Sequence, residues 1–570
     1  MLEIKTIDTK PYDDQALGTS GLRKKVVAVQ QPNYIQNFIQ SIFDSLKPIE
    51  YINKKLLICG DGRYYNKEAI QIILSIAAAN GVSSCIVSHH GIMSTPAASA
   101  VIRDINSKEN DICMGGILLT ASHNPGGKTQ DCGIKFNTKN GGPAQEELTN
   151  RIYEVSKKIT SYKTVTLIEG MPVPIDKIGI IKFGKIKGFE GNFSVEVISS
   201  TAIYIDLMKK IFDFEAIKAF LQRKDFTMTF DAMHGASVQY AKEIFGGIFG
   251  IPTANLCHCE NLEDFGGLHP DPNLVYAKDL VKKMGLSTEI PEIIPDFGAA
   301  CDGDADRNMI LGRKFFVTPS DSVAIIAANY MAIPYFKSGL KGVARSMPTS
   351  AALQLVSEQL GLNCYEVPTG WKFFGNLMDA GMLSICGEES FGTGSDHIRE
   401  KDGIWAVLAW LSILSMKNAG QKEGELITVE KIVKDHWAKF GRNYYCRYDY
   451  EKLTTVVANN VFVELKKNQQ LFIERAKGNA ADIFKYVDPT NNACTDNQGY
   501  RFIYADGSRF VFRLSGTSSD SATVRLYLEK QSKGNVDLTT ADALKQIIID
   551  ALEISQIFKI TGRDKPDVIT

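Results

Sequence analysis

Three parts of the chain repeat one order of elements, a strand, a helix and a second strand, and this order limits the possible folds. The first unit has apolar runs at 56–59 and 82–87, separated by apolar residues at helical spacing. Similar units begin at 226–230 and 343–345, and Thr349 is a suitable N-cap for the helix of the third unit. Strands joined through a helix pair in parallel, so the pattern predicts three similar α/β domains.

The last quarter of the sequence has a different pattern. Residues 509–514 alternate apolar and polar side chains, which is typical of an antiparallel strand with one face in water. A polar segment at 421–425 precedes this region, and the apolar residues at 541–558 indicate a closing helix. We therefore expect a C-terminal α+β domain after the three α/β domains. The predicted domains are residues 1–206, 207–321, 322–423 and 424–570.

Composition and charge narrow the classes of partner. The 570 residues carry a formal net charge of −1, which gives no reason to expect nucleic acid or an anionic membrane as the main partner. The charged N-terminus lacks the apolar core of a signal peptide, and the apolar run at 404–414 is shorter than the roughly 20 residues of a membrane span. Eleven scattered cysteines suit a reducing compartment. We expect a cytoplasmic protein without a transmembrane segment, and the sequence does not indicate peripheral membrane association.

An acidic loop follows the apolar run at 297–300. In an extended segment, alternate side chains share a face, so Asp302, Asp304 and Asp306 would point the same way. Three hard oxygen ligands on one face suit a divalent cation, and Mg²⁺ in particular. A solvated acidic turn is the alternative interpretation. Ligands collect at the ends of strands in α/β sheets, which favours the metal site, and an anion is expected to complete the coordination.

Three further loops have residues that suit a phosphorylated ligand. TASHNPGG at 120–127 resembles in isolation a hydrolase dyad or a nucleotide loop. GEESFG at 387–392 offers hydrogen bonds for sugar hydroxyls, and Lys401 follows it. RLSGTSS at 513–519 combines an arginine with small residues whose backbone N–H groups can bind an anion. A solvated surface loop and an ordinary hairpin turn are the alternatives for the last two loops.

Together these loops resemble those of the α-D-phosphohexomutase superfamily. TASHNPGG resembles its phosphoserine loop, DGDADR its metal loop, GEESFG its sugar loop and RLSGTSS its phosphate loop, in the same order. The strings GTSGLRKKV and GTGSDHIREKDGIWA resemble the glucose-specific branch, the phosphoglucomutases. The resemblance implies four domains around a central active-site cleft. It also implies that the four predicted domains carry these four loops in chain order.

The resemblance implies a role for individual residues. Ser122 would carry the phosphoryl group and would bind one Mg²⁺ per chain together with Asp302, Asp304 and Asp306. The implied catalytic residues are Ser122, His123, Lys135 and Lys401, and either His123 or Lys135 would be the general base. The implied substrate-binding residues are Thr19, Arg23, Arg307, Thr369, Gly370, Glu388, Ser390, Lys401, Arg513, Ser515, Gly516, Thr517 and Arg525.

The implied activity is the reversible interconversion of glucose 1-phosphate and glucose 6-phosphate, an isomerase reaction of carbohydrate metabolism. It would proceed through a phosphoserine enzyme and glucose 1,6-bisphosphate, which is also the primer. The partners would be small sugar phosphates. Three alternatives remain open: a mutase for mannose or N-acetylglucosamine phosphates, a phosphatase that uses Ser122, and a parafusin-type member with an added non-catalytic role in secretion.

Overall fold

The computed structural model contains four large sheets, and each is formed by a separate part of the chain. The model describes all residues except 19–20, 476–477 and 516–521. The predicted binding residues Thr19, Gly516 and Thr517 lie outside the described residues. The expected fold class, three α/β regions followed by a C-terminal α+β region, is confirmed.

The first region contains a seven-stranded sheet with helices on both faces. Leu56 and Ile58 belong to the core with helix Asn66–Ala79, whereas Leu57 and Cys59 belong to the core with helix Thr95–Lys108. Both faces are therefore covered, which explains the continuous apolar run of this strand. The strands in spatial order are Leu22–Lys25, Asp131–Thr138, Cys113–Leu119, Lys55–Gly60, Ser84–Ile92, Asn192–Ile198 and Gly179–Lys185. The other helices are Val26–Val29, Tyr34–Asp44, Pro48–Tyr51 and Glu146–Ser156, and strands Lys5–Asp8 and Ser161–Thr164 pair separately.

The second region is a five-stranded mixed sheet. Its central strands pair in parallel, and the strands after the acidic loop turn back antiparallel. The strands in spatial order are Leu256–Cys257, Met228–Asp231, Phe297–Cys301, Asn308–Gly312 and Phe315–Val317. The helices are Ala202–Ile211, Phe214–Leu221, Val238–Tyr240, which continues as the π-helix Ala241–Ile248, and Lys278–Lys283, with 3-10 turns at Thr253–Asn255 and Phe265–Gly267.

The third region has a four-stranded sheet. Helix Gly403–Lys417 is apolar on all sides and lies within the core, with Trp405 and Trp410 fully buried. No helix among the described residues is both long enough and apolar enough to cross a membrane. The strands in spatial order are Cys364–Val367, Val343–Ser346, Ile385–Glu388 and Gly392–Ser395. The other helices are Pro319–Ala328, Ala352–Leu360, Trp371–Asp379 and Val429–Phe440, with 3-10 turns at Tyr330–Ala332 and Pro334–Phe336.

The helix of this third unit begins later than the sequence predicts. Ala351 is its N-cap, so the prediction that Thr349 caps the helix is wrong. The Thr349 hydroxyl instead accepts a 2.8 Å hydrogen bond from the backbone N–H of Glu389. A tertiary contact to the GEESFG loop has taken the place of the local cap.

The C-terminal region is a six-stranded antiparallel sheet with helices packed against it. The strands in spatial order are Gly478–Ile483, Tyr500–Tyr504, Arg509–Ser515, Ala522–Ser532, Arg442–Leu453 and Val568–Ile569. The helices are Thr455–Lys467, Gln469–Arg475, Thr540–Ser555 and Ile557–Thr561, and strands Tyr486–Val487 and Cys494–Thr495 form a separate pair.

Candidate functional site

The TASHNPGG loop follows the buried strand Cys113–Leu119 and holds Ser122 in a left-handed backbone conformation, with φ of 53°. Arg63, in a fully buried ion pair with Asp61, donates a 3.0 Å hydrogen bond to the Ser122 carbonyl oxygen. The Thr120 hydroxyl donates to Asp61 at 2.6 Å and accepts from the Ser122 N–H at 2.8 Å. These bonds fix a backbone conformation that a non-glycine residue rarely adopts, as is common at functional sites.

The acidic loop comes from the second region and contacts Ser122 directly. The Ser122 hydroxyl donates a 2.8 Å hydrogen bond to Asp302 Oδ2. Asp302, Asp304 and Asp306 are buried, and one oxygen from each lies within 4.8 Å of those from the others. The loop is turned rather than extended, since Ala305 has φ of 60°, so the geometric reason given for the shared face is wrong although the carboxylates do converge.

The donor set of this cluster fits a divalent cation. Asp304 Oδ1 and Asp306 Oδ1 are buried and have no hydrogen-bond partner within the described part of the chain. Burial, together with repulsion from Asp304 and Asp306, raises the pKa of Asp302 well above its usual value. Three converging carboxylates of this kind are the hard oxygen ligands that a divalent metal ion binds.

His123 and Lys135 both lie in this site. His123 Nδ1 is 3.3 Å from Ser122 Oγ, and burial together with Arg307 and Arg23 lowers the pKa of His123 well below its usual value. The imidazole is therefore neutral at pH 7.

Lys135 lies on strand Asp131–Thr138, and its ammonium group is buried. Its Nζ is 3.2 Å from Glu400 Oε1, which also accepts a 2.9 Å hydrogen bond from Asn137. Glu400 immediately precedes Lys401. The loop after GEESFG therefore contacts the first region as well as the third.

The GEESFG loop brings Glu388 beside residues 369–370. Glu388 Oε1 accepts a 3.1 Å hydrogen bond from the Gly370 N–H, and burial raises the pKa of Glu388. The Thr369 hydroxyl is buried and lacks a hydrogen-bond partner among the residues that the structure describes. Ser390 is half-buried two residues further on. These polar groups are placed to bind hydroxyls.

The sugar and metal loops are joined. Lys401 Nζ is 3.0 Å from Asp306 Oδ2, and Arg307 forms an isolated β-bridge with Gly392. Two positively charged residues, Lys401 and Arg307, thus lie at the Asp306 end of the acidic loop. Positive charge placed here can neutralise an anionic ligand.

The C-terminal region contributes two arginines on adjacent strands. Arg513 and Arg525 are opposite each other in the sheet, and Ser515 follows two residues after Arg513. Arg525 also contributes to the lowered pKa of His123, after burial, Arg307, Arg23 and His269, so its positive charge acts on the Ser122 loop. Contacts and charge interactions therefore link the Ser122 loop with the acidic loop and with Arg525, and Arg513 lies beside Arg525 in the sheet.

Sequence reasoning missed three groups that support this site. Asp61 and Arg63 follow strand Lys55–Gly60, and the strand-end rule that identified the other loops applies to them as well. Arg447 pairs with Glu389 at 2.9 Å and connects the C-terminal region to the GEESFG loop. An arginine alone in a strand gives no sequence signal. Thr95 is the third group, and its contacts are described below.

Comparison with known proteins agrees with this geometry. Family models match in order: the phosphoglucomutase/phosphomannomutase α/β/α domains I, II and III over residues 14–163, 202–314 and 319–440, and the phosphoglucomutase-1 C-terminal domain over residues 442–567. The chain belongs to the phosphoglucomutase family. The cytoplasmic phosphoglucomutase of Mesembryanthemum crystallinum is 53% identical, over 100% of this chain and 99% of the relative.

Two Paramecium proteins are similarly close. Phosphoglucomutase-2 of Paramecium tetraurelia is 52% identical, over 99% of this chain and 98% of the relative. The crystal structure of the Paramecium exocytosis-sensitive phosphoprotein pp63/parafusin, a phosphoglucomutase, in an open form has 51% identity and a TM-score of 0.94, with 100% of both chains covered. The family assignment thus extends over the whole chain.

Proposed function

We propose that this protein interconverts glucose 1-phosphate and glucose 6-phosphate and that Ser122 carries the transferred phosphoryl group. The observation that carries the proposal is the 2.8 Å contact between Ser122 Oγ and Asp302, inside a cluster of buried carboxylates. Full-length identity of 52–53% to proteins named phosphoglucomutase supports glucose phosphates over mannose or N-acetylglucosamine phosphates. We also propose a cytoplasmic location, as in the names of the plant relatives.

We infer that each of the four predicted domains contributes one loop to the active site. Residues 1–206, 207–321, 322–423 and 424–570 would carry the phosphoserine, metal, sugar and phosphate loops in that order. Glu388, Ser390, Thr369 and Gly370 hold sugar hydroxyls. Arg513, Ser515 and Arg525, with Gly516 and Thr517, hold the phosphate that is not transferred. Arg23, Arg307 and Lys401, with Thr19, line the reacting end.

Asp302, Asp304, Asp306 and the Ser122 phosphate would hold one Mg²⁺. When bound, this ion supplies positive charge that stabilises the phosphoryl oxygens. Arg307 and Lys401 add charge at the same place, and phosphoryl transfer depends mainly on such positioning and neutralisation.

The first transfer phosphorylates the sugar. The 6-hydroxyl oxygen of glucose 1-phosphate attacks phosphorus, and the bond from phosphorus to Ser122 Oγ breaks with its electron pair on Oγ. The sugar hydroxyl proton leaves to a base, and Oγ regains a proton. The product is glucose 1,6-bisphosphate, which also serves as primer.

The second transfer restores the enzyme. After the bisphosphate turns in the site, Ser122 Oγ attacks the phosphorus of the 1-phosphate, and the bond from that phosphorus to the C1 oxygen breaks. The Ser122 proton leaves to a base, the C1 oxygen gains a proton, and glucose 6-phosphate departs. His123, 3.3 Å from Ser122 Oγ, and Lys135 are the two candidate bases.

A coupled assay for glucose 6-phosphate tests the proposal. We expect turnover with Mg²⁺ and bisphosphate primer, loss of turnover with excess chelator, and at least about tenfold preference for glucose over mannose and N-acetylglucosamine phosphates. Absence of turnover under the first condition contradicts the proposal. Stoichiometric release of inorganic phosphate from glucose 1-phosphate would instead establish a phosphatase.

A further inference from the structure

Each carboxylate of the acidic loop has one oxygen held by a neighbouring donor other than Ser122. The donors come from the first region, the acidic loop itself and the third region. The Thr95 hydroxyl donates a 2.7 Å hydrogen bond to Asp304 Oδ2, and the Arg307 N–H donates a 3.0 Å hydrogen bond to Asp302 Oδ1. Lys401 Nζ forms an ion pair with Asp306 Oδ2 at 3.0 Å.

The opposite oxygens are the ones available to a metal ion. Asp304 Oδ1 and Asp306 Oδ1 are buried without a hydrogen-bond partner among the described residues, and Asp302 Oδ2 faces the Ser122 hydroxyl. Holding one oxygen of a carboxylate fixes the direction of the other. The outer donors therefore determine where the free oxygens meet.

Thr95 holds Asp304 more completely than a single bond would. Besides the hydroxyl contact, its backbone N–H donates a 3.0 Å hydrogen bond to the Asp304 carbonyl oxygen. Thr95 is 1% exposed and is the first residue of helix Thr95–Lys108, whose N-cap is Ser94. The carboxylate of Asp304 thus lies at the positive end of a 14-residue helix from another region of the chain.

We propose that Thr95 is a positioning residue that orients Asp304 for the divalent cation and sets the affinity of the acidic cluster for it. The proposal rests on the proposed metal site. Without the hydroxyl, Asp304 Oδ2 loses its partner, and the carboxylate is free to turn. Loss of such an outer donor lowers metal affinity by about 10- to 100-fold.

Direct binding of Mn²⁺, followed by electron paramagnetic resonance of the free ion, tests this inference on the full-length protein without an activity assay. Thr95→Val replaces the hydroxyl by a methyl group of similar size, and we expect its Kd for Mn²⁺ to rise by about 10- to 100-fold. Thr95→Ser keeps the hydroxyl, so its Kd is expected to stay within about threefold of the unmodified protein. Thr95→Ala provides the same comparison with a smaller side chain.

Ser94→Ala is the matched control. Ser94 accepts a hydrogen bond from the Ala97 N–H and donates to Tyr240, but its hydroxyl does not contact Asp304. The substitution removes the helix cap and lowers thermal stability while leaving the Kd for Mn²⁺ unchanged. A stability effect on binding would therefore be seen in this variant as well.

The outcomes separate the two proposals. Asp304→Asn is expected to abolish Mn²⁺ binding. If this variant binds Mn²⁺ as tightly as the unmodified protein does, the proposed metal site is refuted. If the unmodified protein binds one Mn²⁺, Asp304→Asn does not, and Thr95→Val or Thr95→Ala binds with an unchanged Kd, the inference about Thr95 is refuted while the metal site stands.

Discussion

The Ser122 hydroxyl donates a 2.8 Å hydrogen bond to Asp302, a residue 180 positions further along the chain. The contact joins a loop of the seven-stranded sheet to a loop of the five-stranded sheet. A phosphoryl group on Oγ would therefore lie against the carboxylate cluster only when these two regions are docked. In the proposed mechanism, phosphoryl transfer would therefore depend on the interface between the regions as much as on either loop.

Ser122→Ala tests the carrier role. Removing Oγ leaves no atom to accept the phosphoryl group, so we expect turnover to fall to the background of the coupled assay. The residue is in a loop, and the unfolding free energy is expected to change by less than about 1 kcal/mol. Ser88→Ala, at a buried serine on strand Ser84–Ile92, is the control and should keep its activity. Substantial turnover by Ser122→Ala would show that another residue carries the phosphoryl group.

Arg63→Met tests whether the Asp61–Arg63 ion pair stabilises the loop that contains Ser122. The substitution leaves the Asp61 carboxylate buried without its cation and removes the donor to the Ser122 carbonyl oxygen. We expect unfolding in urea to show a loss of about 3–5 kcal/mol. Arg63→Lys keeps a positive charge and should lose less. A loss below about 1 kcal/mol for Arg63→Met would mean that the ion pair contributes little.

Ser395, His397 and Asp402 form a buried Ser-His-Asp arrangement. His397 Nδ1 is 2.6 Å from the Ser395 hydroxyl, and His397 Nε2 is 2.9 Å from Asp402. The His397 and Asp402 side chains are fully buried, so we expect this arrangement to hold the loop that carries Lys401 rather than to hydrolyse a substrate. We expect Ser395→Ala to lower kcat by about tenfold with little change in KM, because the interaction acts through Lys401.

A fluorophosphonate reagent provides a second readout for this arrangement. It labels exposed nucleophilic serines, and we expect no label on Ser395 by peptide mapping. Labelling of Ser395, or unchanged kcat in Ser395→Ala, would contradict the positioning role.

We expect His436 to make the stability of the protein depend on pH. Burial, with a smaller effect of Lys439, lowers its pKa to about 3, whereas the unfolded chain titrates near 6.5. The folded state therefore binds fewer protons between these values, and stability that is present above pH 6.5 is lost as the pH falls toward 3.

His436→Phe removes this titration. Between pH 7 and pH 5 we expect the unmodified protein to lose about 2 kcal/mol more unfolding free energy than the variant, measured in urea. The packing cost of the substitution is the same at both pH values and cancels in this comparison. Parallel pH profiles for the two proteins would show that the pKa of His436 is the same in the folded and unfolded states.

The acidic cluster was predictable because its three carboxylates lie at alternate positions in one short segment. Asp302, Asp304 and Asp306 are close in sequence, so any compact loop brings their carboxylates together, and the turned loop does so as well as an extended one. The three α/β units were predictable for a similar reason, because the period of apolar residues is a local property.

Local sequence patterns could not predict the tertiary contacts. Thr95 lies 209 positions from Asp304, and its neighbours in sequence give no indication of a carboxylate partner. Thr349 has the local features of an N-cap, yet it binds the Glu389 N–H. In both cases the fold decides the partner of a short polar side chain, and the sequence shows only that a partner is needed.

Peptide mapping of the phosphate on the purified protein shows whether Ser122 is the phosphoryl carrier. We expect one phosphate on the tryptic peptide that contains Ser122. Incubation with glucose 1-phosphate or glucose 6-phosphate should remove it and yield glucose 1,6-bisphosphate rather than inorganic phosphate. If protein treated with glucose 1,6-bisphosphate and Mg²⁺ has no phosphate on Ser122 but still turns over glucose 1-phosphate, the phosphoserine mechanism is wrong.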